Sequence, residues 1–267
     1  MARQMTVQQF FSLFPNDEAC LEHLMKTRYG LEGTCPKCGS KTKFHRMNAE
    51  RAYACQSCGH HIHPTAGTPM HRTRTSLQSW FYVMHLFTTS RHGVSGKEIE
   101  RAIGCTYKTA WRMGHEIRKY MGELDGNSPL DGDVEADETY VGGHRPGKRG
   151  RGAAGKTVVF GMQDRDGDII TKVVPNAKKK TIEPIIKANV KKGSTVHTDE
   201  WHAYKDLASH VNTLEGFWSI VKKSINSTHI WVSSKHLSSY LCEFEFRHNL
   251  RKEPHLMLPT LLLGFRP

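Results

Sequence analysis

The 267-residue sequence predicts a multi-domain chain of the α+β / α/β class: a cysteine-rich module and a helical unit, then a mixed sheet flanked by helices. Three observations predict it. Two Cys-x-x-Cys pairs sit in a Gly-, Cys- and His-rich stretch over 33–66. Apolar residues recur at helical spacing across 76–121. From 130 to 250, strand-like runs come first and helical ones follow. The boundaries this suggests are an N-terminal helical segment over 1–30, the cysteine module over 31–70, a helical region over 71–125 and a sheet-containing domain over 126–267.

Bulk properties narrow the partners. Apolar residues make up 37% of the chain, enough for packed cores. The formal charge is +12, which favours a polyanion such as nucleic acid. The apolar run Leu77–Phe87 is too short for a bilayer and contains Gln78, Ser79 and His85, so no membrane partner is expected. Met1-Ala2-Arg3-Gln4 leads into no signal-peptide core, which places the protein in the cytoplasm, at the nucleoid if it binds DNA. In that reducing compartment seven cysteines argue for metal rather than disulfides.

Residues 5–30 read as helical: Asn16 or Asp17 caps, Ala19, Cys20, Leu24 and Met25 follow, and Gly30 stands where a helix would stop. Next come Cys35-x2-Cys38, sixteen residues, and Cys55-x2-Cys58. Each Cys-x-x-Cys turn offers two thiolates to one ion, and two such turns complete a tetrahedron, so these four cysteines are expected to hold a structural Zn2+ in a zinc ribbon. Gly39 and Gly59 follow the pairs, where tight knuckles need a permissive backbone. His60, His61 and His63 are alternative ligands, but four thiolates suffice; Cys20, Cys105 and Cys242 are isolated and read as packed residues. Lys37, Lys41, Lys43, Arg46 and Arg51 surround the module, either as phosphate contacts or as ordinary solvated surface.

Ser95-Gly96-Lys97-Glu98 has the form of a capping box. Ile99, Ala102 and Ile103 give an apolar face, Gly104-Cys105-Thr106 a turn, and Tyr107–Arg118 a second helix with Ala110, Met113 and Ile117 inward. This is a helix-turn-helix candidate whose Lys108, Arg112 and Arg118 are expected to contact DNA. Such helix pairs also occur in cores that bind nothing.

Strands are predicted at Asp133–Val141, Thr157–Met162, Ile169–Val174 and Thr195–Thr198, with a hairpin turn at 164–168. Ile182, Ile185, Ile186 and Val190 recur helically, and helices are expected at 202–208, 212–226 and 235–249. In the first strand Glu135 and Asp137 share one face and Glu138 takes the other. Asp199 ends the short strand. Leu214, Phe217, Trp218, Val221 and Ile225 form one face of a helix, with Asn212, Glu215, Ser219 and Lys222 in a stripe beside it. Two or three acids so gathered can hold two Mg2+ about 4 Å apart. Singly, each acid also reads as a surface or capping residue.

These residues together resemble the bacterial insertion-sequence transposases related to the eukaryotic Merlin elements. Cys35–Cys58 resembles their zinc ribbon and Ser95–Arg118 their helical DNA-binding segment. Asp137-Glu138-Thr139-Tyr140-Val141-Gly142-Gly143, Thr198-Asp199-Glu200-Trp201-His202-Ala203-Tyr204 and Asn212-Thr213-Leu214-Glu215-Gly216-Phe217-Trp218 resemble three catalytic blocks, and Glu243-Phe244-Glu245-Phe246-Arg247 resembles the stretch after them. The resemblance implies an RNase H-like domain over 126–267 acting as a DDE transposase. Asp137 and Asp199 would be its first two Mg2+ or Mn2+ ligands, Glu215 or Asn212 the third, and Lys222 would lie near a phosphate. It implies cleavage at terminal inverted repeats, strand transfer into target DNA, and a homodimer or larger assembly. Relatives have a longer segment between the second and third blocks than Glu200–Val211. A decayed or repurposed DNA-binding protein is therefore the alternative, and a nuclease without strand transfer a third reading. The loop after the first block carries Arg145, Lys148, Arg149 and Arg151 among glycines; it is expected to order on DNA or to remain a solvated tip.

Overall fold

The computed structural model describes residues 3–124, 128–142, 155–165, 167–198 and 212–264; of Asn212 and Thr213 it describes the backbone. The chain divides into two compact units.

The first unit takes the chain up to Thr89, Gly96–Ile117 and everything from Glu253. Helix α1 (Val7–Leu13) opens on a reciprocal cap between Thr6 and Gln9. Helix α2 (Asp17–Arg28) starts where the Asn16 side chain accepts the Ala19 amide at 3.0 Å, and Gly30 follows at φ +76°. Four antiparallel strands come next in sequence order: β1 (Glu32–Thr34), β2 (Lys41–Met47), β3 (Ala52–Cys55) and β4 (His61–Ile62). Helices α3 (Leu77–Thr89) and α4 (Gly96–Ile103) follow, then α5 (Tyr107–Leu124), whose last turns belong to the second unit. Phe10, Phe14, Leu24, Trp80, Phe81 and Phe87 are almost completely buried here, with Phe14 set edge-on to Phe81 at 5.0 Å. The C-terminal helix Met257–Leu263 packs on α2 and α3, although the sequence pattern assigns 126–267 to one domain. Its Leu258, Leu261 and Leu262 form an apolar face that finds its cover in this core, beyond the break at Pro254.

The second unit holds Ser90–Ser95 and Arg118–Lys252. Strands β5 (Asp133–Val141), β6 (Thr157–Asp164) and β7 (Ile169–Val174) run antiparallel. After helix α6 (Lys179–Asn189), β8 (Thr195–Thr198) returns parallel beside β5, giving the order β7-β6-β5-β8. The expected β6–β7 hairpin turns at Gly167 (φ +92°), whose amide donates to Asp164. Helices α7 (Asn212–Ser227) and α8 (Ser234–Asn249) complete the unit. Val134, Ala136, Phe160 and Met162 meet Ile182 on one face of the sheet. Val141 and Val159 meet Leu214, Phe217, Trp218, Leu241 and Phe244 on the other, so the period-two alternation of β5 sorts the two cores.

Helix α8 also seals the outer edge of β7. The Asn249 side chain accepts the Ile169 amide (2.8 Å) and donates to the Ile169 carbonyl (3.1 Å), while Glu245 accepts the amide and hydroxyl of Thr171. Two residues before Glu245, Glu243 is fully buried between Arg118 (2.7 Å) and Arg247 (2.5 Å). Burial pushes its carboxyl up, but the two guanidiniums, Arg118 foremost, hold it at about 2.

Burial also lowers His229 to about 4, with Arg118 and Arg247 adding to the shift against the opposing pull of Glu243. His248 is lowered to about 4 by burial and then by Arg251. Both imidazoles are neutral in the fold and take up a proton more readily once unfolded. Their contribution is complete above pH 6.5 and is lost as pH falls toward 4, on the order of 3 kcal/mol for His229 and less for the more exposed His248. Urea midpoints are therefore expected to fall steadily between pH 7 and pH 4.5, and His229→Gln should flatten that slope. Glu243 stays charged across this window; its share is lost only below pH 4.5.

Candidate functional site

Among the described residues, two places carry chemistry. In the ribbon, Cys35 begins one knuckle and Cys55 the other, and the two have the same backbone. Gly39 N donates to Cys35 O and Gly59 N to Cys55 O, each at 2.9 Å, and both glycines sit at φ +69°. The sulfurs of Cys35, Cys38, Cys55 and Cys58 all lie within 4.8 Å of one another, with Cys35–Cys58 at 3.8 Å and Cys38–Cys55 at 4.0 Å. A tetrahedron with zinc–sulfur bonds of about 2.3 Å has edges of about 3.8 Å, so the donor set fits a structural Zn2+ with no open position. The Ser40 amide holds the Cys38 thiol below its ordinary range. Cys35→Ser is expected to reduce bound zinc well below one equivalent and to lower the thermal midpoint, read by metal analysis and calorimetry.

Of the basic residues around the ribbon, Arg46 pairs with Glu18 through two bonds of 2.7 Å and Arg51 with Asp17 at 2.8 Å. These two anchor the ribbon to α2, and Arg28 does so again by donating to the Pro64 and Ala66 carbonyls. Lys37 and Lys41 are exposed. In the helix pair, Lys108 and Arg112 are exposed, and Trp111, 40% exposed, stacks on His115 at 3.9 Å. Arg118 corrects the sequence reading: it is 2% exposed, held by Glu243 and the Val94 carbonyl, and does not face solvent. Its partner lies 125 positions away, which helical periodicity cannot register.

The second place is the α7 face of the large sheet. Asp137 lies on β5 opposite Gly161 of β6, and Glu135 lies opposite Gln163. Trp218, buried on α7, donates its indole N–H to Asp137 Oδ2 at 3.1 Å. Its ring rests on Gly161, where an added Cβ would come within 2.5 Å of the indole. A glycine on β6 and a tryptophan on α7 together orient one carboxylate. Buried Gln163 lies beside His248 at 3.4 Å on the same side. Composition hid these roles: Trp218 reads as core, and a strand glycine marks only some close approach.

Strand β8 pairs Thr198 with Ala136, so its described end lies next to Asp137 along the sheet. Glu215 and Lys222 are exposed on α7, along the stripe the sequence predicts. Asp199, the side chain of Asn212, and Arg145, Lys148, Arg149 and Arg151 lie outside the described residues, as does the helix expected at 202–208. Among the described residues, the four cysteines form the cluster able to hold a metal ion. No described helix is long and apolar enough to cross a membrane.

Comparison with known proteins follows the same division. A transposase zinc-ribbon domain matches residues 15–61, and an ISXO2-like transposase domain matches 129–211 and 208–249, two pieces that meet where the sequence shows a shortened connection. A Haemophilus influenzae protein described as an uncharacterized transposase-like protein is 28% identical over 117 residues, covering 36% of this chain and 94% of that protein. No solved structure matches.

Proposed function

Since this chain belongs to the IS1595 family of transposases, we propose that it cuts DNA at the terminal inverted repeats of its own element and joins the freed ends to target DNA. The observation that carries the catalytic part is the Asp137 carboxylate, fixed by the Trp218 indole beside the end of β8. In this reading the second unit is RNase H-like, and Asp137, Asp199 and Glu215 hold Mg2+ or Mn2+, with Asn212 the competitor for the third position. Such ions polarise a phosphodiester and acidify a bound water. Carboxylate oxygens are the donors a hard cation prefers, and the indole bond keeps Asp137 from rotating away. Hydrolysis breaks the P–O3′ bond and leaves a 3′-OH, whose oxygen then attacks a target phosphate in line and expels the target strand's own 3′ oxygen, which leaves as a 3′-OH. Lys222, two turns beyond Glu215 on the exposed side of α7, steadies the phosphate.

Binding falls to the ribbon and the helix pair, through Lys108 and Arg112. Arg145, Lys148, Arg149 and Arg151 of the basic loop bind phosphates near the cut. Two ends held together call for a dimer or larger assembly. The test is purified full chain with Mg2+ or Mn2+, a plasmid carrying the element's ends and a target plasmid. Joined products that EDTA suppresses support the reading. Cleavage without joining reduces it to a nuclease, and DNA binding without cleavage reduces it to a tethering protein.

A further inference from the structure

The turn between α7 and α8 is the most conspicuous unexplained surface among the described residues. Ile230 is 81% and Trp231 69% exposed, more than any other large apolar side chain there. Their neighbours behave normally: Ile225 and Leu237 are buried, and Val232 and Tyr240 pack against the same core. The hairpin is thus anchored from both sides while its tip faces outward.

The backbone at the tip is strained. Ile230 has φ +63°, a region a β-branched residue rarely enters. Across it the Trp231 amide donates to the His229 carbonyl at 2.6 Å, the i to i+2 bond of a positive-φ γ-turn. Glycine or asparagine would hold that turn with less strain. Isoleucine there is a local cost that the core does not explain, and strain of this kind gathers at working surfaces.

The surroundings identify what would cover the tip. Residues 216–242 contain no acidic side chain. They contain Lys222, Lys223 and Lys235, all exposed, and α8 begins at the tip with no acidic residue in its first turn. Asn226, Ser227 and Ser234 add exposed polar groups. Exposed lysines and hydroxyls on the helix ends that flank an exposed indole are complementary to a phosphate backbone with a base face to stack on. A second copy of this chain would set like charges against like.

We propose that Ile230 and Trp231 form a nucleobase-stacking wedge that engages DNA bases unstacked from the duplex. The inference rests on the DNA-processing role argued above and adds to it a contact outside the acidic site. From Glu215 to Ser227 helix α7 rises about 18 Å, or about five base-pair steps, so the wedge acts on DNA flanking the cut rather than at it.

The test measures binding of the full chain to two fluorescein-labelled probes, a 30-nucleotide dT strand and a 30-base-pair duplex of arbitrary sequence, by anisotropy at several salt concentrations. Trp231→Ala is expected to weaken the single strand at least about fivefold and the duplex less than twofold, with Trp231→Phe close to wild type. Removing Lys223 and Lys235 should flatten the salt dependence for both probes. Unchanged single-strand affinity in Trp231→Ala, alongside normal duplex binding by wild type, overturns the wedge and leaves the DNA role standing. Wild type that binds neither probe overturns both. A change in sedimentation without a change in affinity assigns the tip to self-association and likewise overturns the proposal. Because the indole is exposed, Trp231→Ala should keep the wild-type thermal midpoint; the Phe variant supplies the comparison if it does not.

Discussion

Asp137→Ala is expected to lower the rate of DNA cleavage by roughly 10^3-fold or more, at least about 4 kcal/mol of transition-state stabilisation, while changing affinity for end-bearing DNA little. Initial rates at saturating Mg2+, set beside binding isotherms, measure both quantities. Full activity in this variant, or in Asp199→Ala, refutes the acidic site. Two milder variants ask whether the indole matters. Trp218→Phe keeps an aromatic ring at this position but removes the N–H that reaches Asp137. It should lower the rate by about 10- to 100-fold and raise the Mg2+ concentration needed for half-maximal rate, as loss of a ligand's orienting partner does. Gly161→Ala keeps the N–H but displaces the ring, since its Cβ would lie 2.5 Å from the indole, and should act in the same direction. If Trp218 served only as packing, metal dependence would stay unchanged in the Phe variant.

The second large effect concerns stability. Glu243→Ala is expected to cost about 3–5 kcal/mol, because it leaves Arg118 and Arg247 buried without their counter-charge. With total stabilities of about 5–15 kcal/mol for folded domains, that is a large share. Urea unfolding of the full chain at pH 7 gives the number. Replacing all three residues together by leucine or methionine should recover most of the loss, since a buried ion cluster and an apolar filling of similar volume are nearly equivalent. A cost that persists in the triple variant would show that shape, rather than charge, is what Glu243 supplies.

These variants mark where sequence was informative. Strands β5, β7 and β8 occur at the predicted residues because alternating apolar side chains and flanking turn residues are local signals. The cysteine spacing announced the ribbon for the same reason: two short turns determine which atoms converge. The Asp137–Trp218 bond spans 81 positions and the Arg118–Glu243 pair 125, and no period within a helix or strand encodes either. Arg118 shows how this misleads. On a basic amphipathic helix it reads as a DNA contact, yet a carboxylate on α8 claims it. The C-terminal helix was missed because its apolar face has no turn signal saying which core receives it. The polar stripe of α7 was legible as a stripe; that a tryptophan from the apolar face beside it holds Asp137 of β5 was not.

The bonds from Asn249 and Glu245 to the margin of β7 bear on how this protein behaves when concentrated. A strand at the border of a sheet exposes hydrogen-bonding groups that can recruit a neighbouring molecule, and repeated recruitment builds insoluble fibres. Here the last two turns of α8 occupy that border with side chains in place of another strand. Losing those bonds would leave Ile169 and Thr171 ready to pair with a stranger, so Glu245→Ala combined with Asn249→Ala should yield a protein that precipitates rather than one that is merely less stable.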